Sequence, residues 1–98
     1  MNSTSIKLPL SVYNEMSERG QLNPTYVRDF IEDYYYRGLI DGTLVVHEIK
    51  EPTAHYYFRL HENLHSQLQQ FAKRCKIPMN ELIGRLFDKY YKELVQCH

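Results

Sequence analysis

His61 and His65 stand four residues apart, the spacing that puts two imidazoles on one face of a helix. With Cys75 further along, they are the nearest approach in this chain to a metal-ligand set. No carboxylate or cysteine pair completes the set, so a solvated helix face is the stronger reading. Cys75 and Cys97 form no metal or redox motif. They read as thiols of a protein in a reducing cytoplasm. There is no glycine-rich phosphate loop, nucleophile elbow or paired-carboxylate motif. Glu32, Asp33 and Asp41 read as a solvated acidic face. Neither an enzyme nor a cofactor or metal site is expected. The polar residues left to explain sit on two short alternating stretches: Ser3, Ser5 and Lys7 on one, His55, Tyr57 and Arg59 on the other.

Composition narrows the partners. The formal net charge is zero, which counts against a nonspecific nucleic-acid coat acting through a large positive field. The charge is uneven, however. Residues 1–54 carry five basic groups against eight acidic ones, and residues 55–98 seven against four. Any electropositive surface should lean toward the second half. No apolar run approaches the roughly 18 residues of a membrane span, and no signal segment is evident, so a cytoplasmic protein without membrane contact is expected. The 9 tyrosines suit half-buried sites, ring inward and hydroxyl at the surface.

The elements that must position these residues occur twice. Ser5-Ile6-Lys7-Leu8 alternates, with Ile6 and Leu8 on one face. His55-Tyr56-Tyr57-Phe58-Arg59-Leu60 does the same, with Tyr56, Phe58 and Leu60 inward. Period-two alternation predicts strands with one buried face. The pairs Lys7-Leu8 and Arg59-Leu60 align at an offset of 52. A short helix follows each strand. Val12 and Met16 mark its stripe in the first copy, which Gly20 closes. Leu64, Leu68, Phe71, Ala72 and Cys75 mark it in the second. A second helix then carries three apolar doublets: Tyr26-Val27, Phe30-Ile31 and Tyr34-Tyr35 in the first copy, Leu82-Ile83, Leu86-Phe87 and Tyr90-Tyr91 in the second. These align at an offset of 56, so the first copy is shorter by about one helical turn. Asn23-Pro24 forms an N-cap and N1 pair at the start of the first of these helices. Residues 37–54 connect the copies. Gly38 and Gly42 are expected to break the first copy's helix, and the β-prone run Thr43 to Ile49 to form an extra strand before Glu51-Pro52.

A strand ending in Ser5-Ile6-Lys7-Leu8-Pro9 or Phe58-Arg59-Leu60, then two helices, the second with paired apolar positions, resembles the ribbon-helix-helix family of DNA-binding proteins, the Arc and MetJ repressor superfamily. Ile77-Pro-Met-Asn-Glu-Leu-Ile83 is similar to the family's turn and second-helix start. The chain departs from the pattern at His61, where proline is common. The resemblance covers residues 3–36 and 55–94. It implies an α+β, mostly helical fold. Two tandem ribbon-helix-helix repeats, residues 1–36 and 55–98, would pair their strands as a two-stranded antiparallel ribbon over a four-helix core. One chain would then supply the pseudo-dimer that two chains usually form.

The resemblance also implies a function. A two-stranded ribbon fits the major groove of double-stranded DNA. Its outward positions map here to Ser3, Ser5, Lys7, His55, Tyr57 and Arg59. Lys7 and Arg59 can donate to guanine O6 and N7, and Tyr57 can contact a thymine methyl or instead pack on the connection. The start of each second helix resembles the family's phosphate clamp, which maps to Asn23 and Thr25 in the first copy and to Met79 and Asn80 in the second. The expected function is a repressor-like transcriptional regulator whose chains self-associate on DNA. The alternative is a protein-interaction module, an antitoxin, adaptor or antirepressor, on the same scaffold.

Overall fold

A computed structural model describes residues 2–96. Its elements run in the order β1 (Asn2–Pro9), α1 (Leu10–Glu18), α2 (Pro24–Ile40), α3 (Thr43–Val46), β2 (Thr53–Leu60), α4 (Glu62–Cys75) and α5 (Met79–Leu86). The last helix continues through a π-helical turn, Phe87–Tyr91, into α6 (Lys92–Gln96). The fold is α+β, with one two-stranded antiparallel sheet. β1 pairs with β2 of the same chain, Ser3 opposite Arg59, Ser5 opposite Tyr57 and Lys7 opposite His55.

Alternation sorts the strands as expected. Ile6, Leu8, Phe58 and Leu60 are buried, while Ser3, His55, Tyr57 and Arg59 are exposed. A single core joins these strand residues to Val12 and Met16 of α1, Leu68 and Ala72 of α4, and the doublets of α2 and of the last helix. The doublets meet face to face. Phe30 stacks on Phe87 with centroids 4.3 Å apart, and Tyr34 on Tyr90 at 5.0 Å. Stacked pairs of this kind add about 0.5–1.5 kcal/mol beyond the area they bury.

Two of these contacts join residues that the repeat makes equivalent. Ser5 and Tyr57 are 52 apart and lie opposite each other in the ribbon. Tyr34 and Tyr90 are 56 apart and stack. A two-fold that related the two copies would pass close to both contacts.

Two expectations fail in the connection. Gly38 does not break α2, which runs on to Ile40. Its missing side chain makes room for a neighbour, since a Cβ there would lie 2.6 Å from Leu86 Cδ2. That packing outweighs the ~1 kcal/mol by which glycine disfavours a helix. Residues 43–46 are helix and not strand. Asp41 Oδ1 accepts from the Thr43 amide (2.9 Å) and hydroxyl (2.5 Å), Gly42 turns the chain at φ 80°, and Leu44 is fully buried. Arg85 closes the other end, donating from Nη1 to the carbonyls of Leu44 (3.1 Å) and Val45 (2.9 Å). These tertiary contacts override the β preference of Val45 and Val46.

The connection packs on the two second helices unequally. Gly84, Arg85 and Asp88, between the doublets of the last helix, are buried, Gly84 against the Lys7 backbone and Ile49, Arg85 and Asp88 against Leu44, Val45 and His47 of the connection. Their equivalents by the offset of 56, Arg28, Asp29 and Glu32, are not buried, and the latter two are exposed.

Candidate nucleic-acid interface

The antiparallel register brings the six outward residues together as three cross-strand pairs on one face: Ser3 with Arg59, Ser5 with Tyr57 and Lys7 with His55. The face holds two permanent cations and no carboxylate. Tyr57 is 73% exposed, so it does not pack on the connection. Its ring stacks on His55, with centroids 6.2 Å apart and planes at 19°. Ser3, Ser5, Tyr57 and Arg59 share a shallow hollow of about 500 Å³.

Below the face, the helices hold the strands by unequal means. α5 crosses β1 at Gly84, where a Cβ would stand 2.1 Å from the Lys7 carbonyl oxygen. Arg28 is the repeat equivalent of Gly84, and Arg59 that of Lys7. Arg28 Nη1 reaches the Arg59 carbonyl oxygen at 3.4 Å. Both strands are thus touched from beneath at the backbone of their basic residue, one by a bare helix backbone and one by a guanidinium.

The four helix-start residues divide. Met79 and Asn80 border the ribbon, since they share a hollow of about 350 Å³ with Ser3, Ser5 and His65. The start of α5 has no side-chain cap. The start of α2 does have one: Asn23 Oδ1 accepts from the Tyr26 amide at 2.9 Å, so this side chain is committed as an N-cap. Thr25 is exposed.

A second polar cluster, unforeseen from sequence, lies between the connection and the last helix beyond α5, in a cleft of about 580 Å³. Asp88 is buried there, 2.5 Å from His47 Nε2 and paired with Lys92 at 2.7 Å. Lys92 also binds Glu51 at 2.7 Å, and Glu51 accepts from the Ser11 amide at 2.8 Å. Burial alone would raise the Glu51 carboxyl, but hydrogen bonds from Lys92 and Ser11 outweigh it and hold its pKa at about 2. Hydrogen bonds from Thr43 and Tyr90 likewise lower Asp41 to about 2. Burial, with the Asp41 carboxylate beside it, raises the Tyr90 hydroxyl. Every charged member but Lys50, Glu48 and Lys89 is bound to a neighbour, so the cluster reads as a tie between the connection, α1 and the last helix.

Among the described residues, no group of three or more His, Cys, Asp or Glu comes together as a ligand set. His65 instead faces Asn2 Nδ2 at 3.5 Å. Cys75 is a half-buried free thiol, and Cys97 lies outside the described residues. Among the described residues, no helix is long and apolar enough to cross a membrane. Comparison with protein-family models, curated proteins and solved structures finds no match to the chain.

Proposed function

We propose that the chain is a sequence-specific, repressor-like DNA-binding protein: a tandem ribbon-helix-helix unit whose ribbon enters the major groove, with the helices of both repeats closing a shared core. The observation that carries this reading is the ribbon face. Three cross-strand pairs present two cations, one imidazole, one phenol and two hydroxyls, without a carboxylate, with Ser3, His55, Tyr57 and Arg59 exposed and Ser5 and Lys7 half-buried. A ribbon of that width fits the major groove, and Lys and Arg are the side chains suited to guanine edges. The meeting of repeat-equivalent residues, Ser5 with Tyr57 and Tyr34 with Tyr90, supports the pseudo-dimeric arrangement. Selecting bound duplexes from a random pool tests the reading. Enrichment of a defined sequence is the expected result, and no enrichment would overturn it.

One observation favours a second reading as a protein-interaction module. Tyr36, Ile40, Val45 and Val46 are exposed apolar residues around the α2–α3 corner, and patches of this kind mark protein contacts. Under the first reading the same corner serves self-association of two chains on adjacent sites. Sedimentation of the chain with and without selected DNA distinguishes the two. A complex of two chains per duplex is expected, and strict monomers at high concentration would exclude self-association.

A further inference from the structure

We infer that one chain reads a non-palindromic duplex core in a single orientation, and that Tyr57 sets the orientation. This rests on the DNA reading above. Residues 52 apart are equivalent in the two copies, so Ser5 corresponds to Tyr57, Lys7 to Arg59 and Ser3 to His55. Ser5 lies opposite Tyr57 in the ribbon, so the two-fold relating the strands runs through that pair. A reader of a palindrome needs the same side chain on both sides of its axis. Here the axis has a serine hydroxymethyl on one side and a largely exposed phenol ring on the other. His55 stacks on that ring and extends the aromatic surface along β2 alone. No ring on the outward face of β1 balances it. The central base step therefore meets an apolar ring, suited to a thymine methyl, from one strand only.

The ends of the face differ in the same sense. One presents Lys7 beside His55, the other Arg59 beside Ser3. Arginine offers a planar fork that matches guanine O6 and N7, whereas lysine offers a point charge with rotating donors. The first and last outward residues of β1, Ser3 and Lys7, are four residues apart, roughly 13 Å along a strand. That span covers about four base pairs. Within it no row of the ribbon is repeated by the two-fold. The support beneath is unequal as well, with Gly84 under Lys7 and Arg28 under Arg59.

The test is the random-duplex selection carried out with the parent, Lys7→Ala, Arg59→Ala and Tyr57→Ser, each first checked for a parent-like thermal melt. The parent is expected to enrich a core without internal two-fold symmetry, alone or as repeats of that core. Lys7→Ala should flatten preference at one end of it, and Arg59→Ala at the other, each by at least about fivefold. Tyr57→Ser makes the axis serine on both sides and should bring the core closer to a palindrome. A palindromic parent core, or both alanine variants flattening the same positions, would overturn the inference and leave the DNA reading intact. Failure of the parent to enrich any sequence would overturn both.

Discussion

Gly84 lies directly against the backbone of Lys7, so close that a methyl group added at Gly84 would stand 2.1 Å from the Lys7 carbonyl oxygen. The last helix and the first strand thus touch backbone to backbone, and the ribbon's Lys7 is placed by that contact. Gly84→Ala should destabilise the fold by about 3 kcal/mol or more, because the obstructing atom is backbone and cannot turn aside. Gly38→Ala should cost less. Its Cβ would meet Leu86 Cδ2 at 2.6 Å, a side-chain atom able to shift, and alanine returns up to ~1 kcal/mol of helix propensity. Denaturant unfolding of both variants checks the order. Equal losses would mean that the Gly84 contact is not tight.

Arg85 holds the α3 corner through the carbonyls of Leu44 and Val45. Arg85→Met keeps most of the buried aliphatic stem and removes both hydrogen bonds. A stability loss of about 1–3 kcal/mol is expected, with faster amide exchange at Val45, Val46 and His47, whose amides close the turn. Unchanged exchange there would show that α3 does not depend on Arg85.

Glu51 couples α1 to Lys92 and has its pKa held at about 2, below the ordinary 4.5. A depressed folded-state pKa contributes stability that is present above the unfolded value and is lost as pH falls toward the folded one. Asp41 acts in the same direction. Stability should therefore fall from about pH 5 to about pH 2. Glu51→Gln should lower stability at neutral pH by about 1–3 kcal/mol and leave a shallower acid decline. Thermal melts across this range decide the point. A variant with the parent's neutral stability and full acid slope would remove Glu51 from the account.

The strands and the doublet helices were legible in the sequence because a period of two and a period near 3.6 each assign a buried face locally. The six outward ribbon residues followed from the same alternation. Their partners did not, since only strand pairing shows that Tyr57 faces Ser5 rather than another outward residue. The run Thr43 to Ile49 reads locally as strand because its preference is β-like, whereas the helix Thr43–Val46 is held by Asp41 and Arg85 from outside the segment and by the burial of Leu44. Gly84, Arg85 and Asp88 fall between doublets, where a helix facing one core would be solvated. Gly84 is buried because β1 crosses it at the Lys7 carbonyl, and Arg85 and Asp88 because the connection meets them at Leu44, Val45 and His47; no local pattern encodes either contact. The role of Gly38 was hidden for the same reason, because its neighbour Leu86 is distant in sequence.

Few cations are available to meet phosphates, so binding should depend only weakly on salt. The logarithmic slope should correspond to about two to four phosphate contacts per chain. Titrations of selected duplex at several salt concentrations measure it. A slope near that of about ten contacts would contradict a ribbon that works through a few base-directed groups.

The central claim is that the ribbon face reads base edges, and Arg59 is the one arginine among its six outward residues. The most direct test is an equilibrium titration of selected duplex with the parent and with Arg59→Ala, run beside a scrambled duplex. Specific binding should weaken by about 1–3 kcal/mol, the worth of one good base contact, while binding to the scrambled duplex changes far less. Equal affinity of parent and variant for the selected duplex would contradict the account.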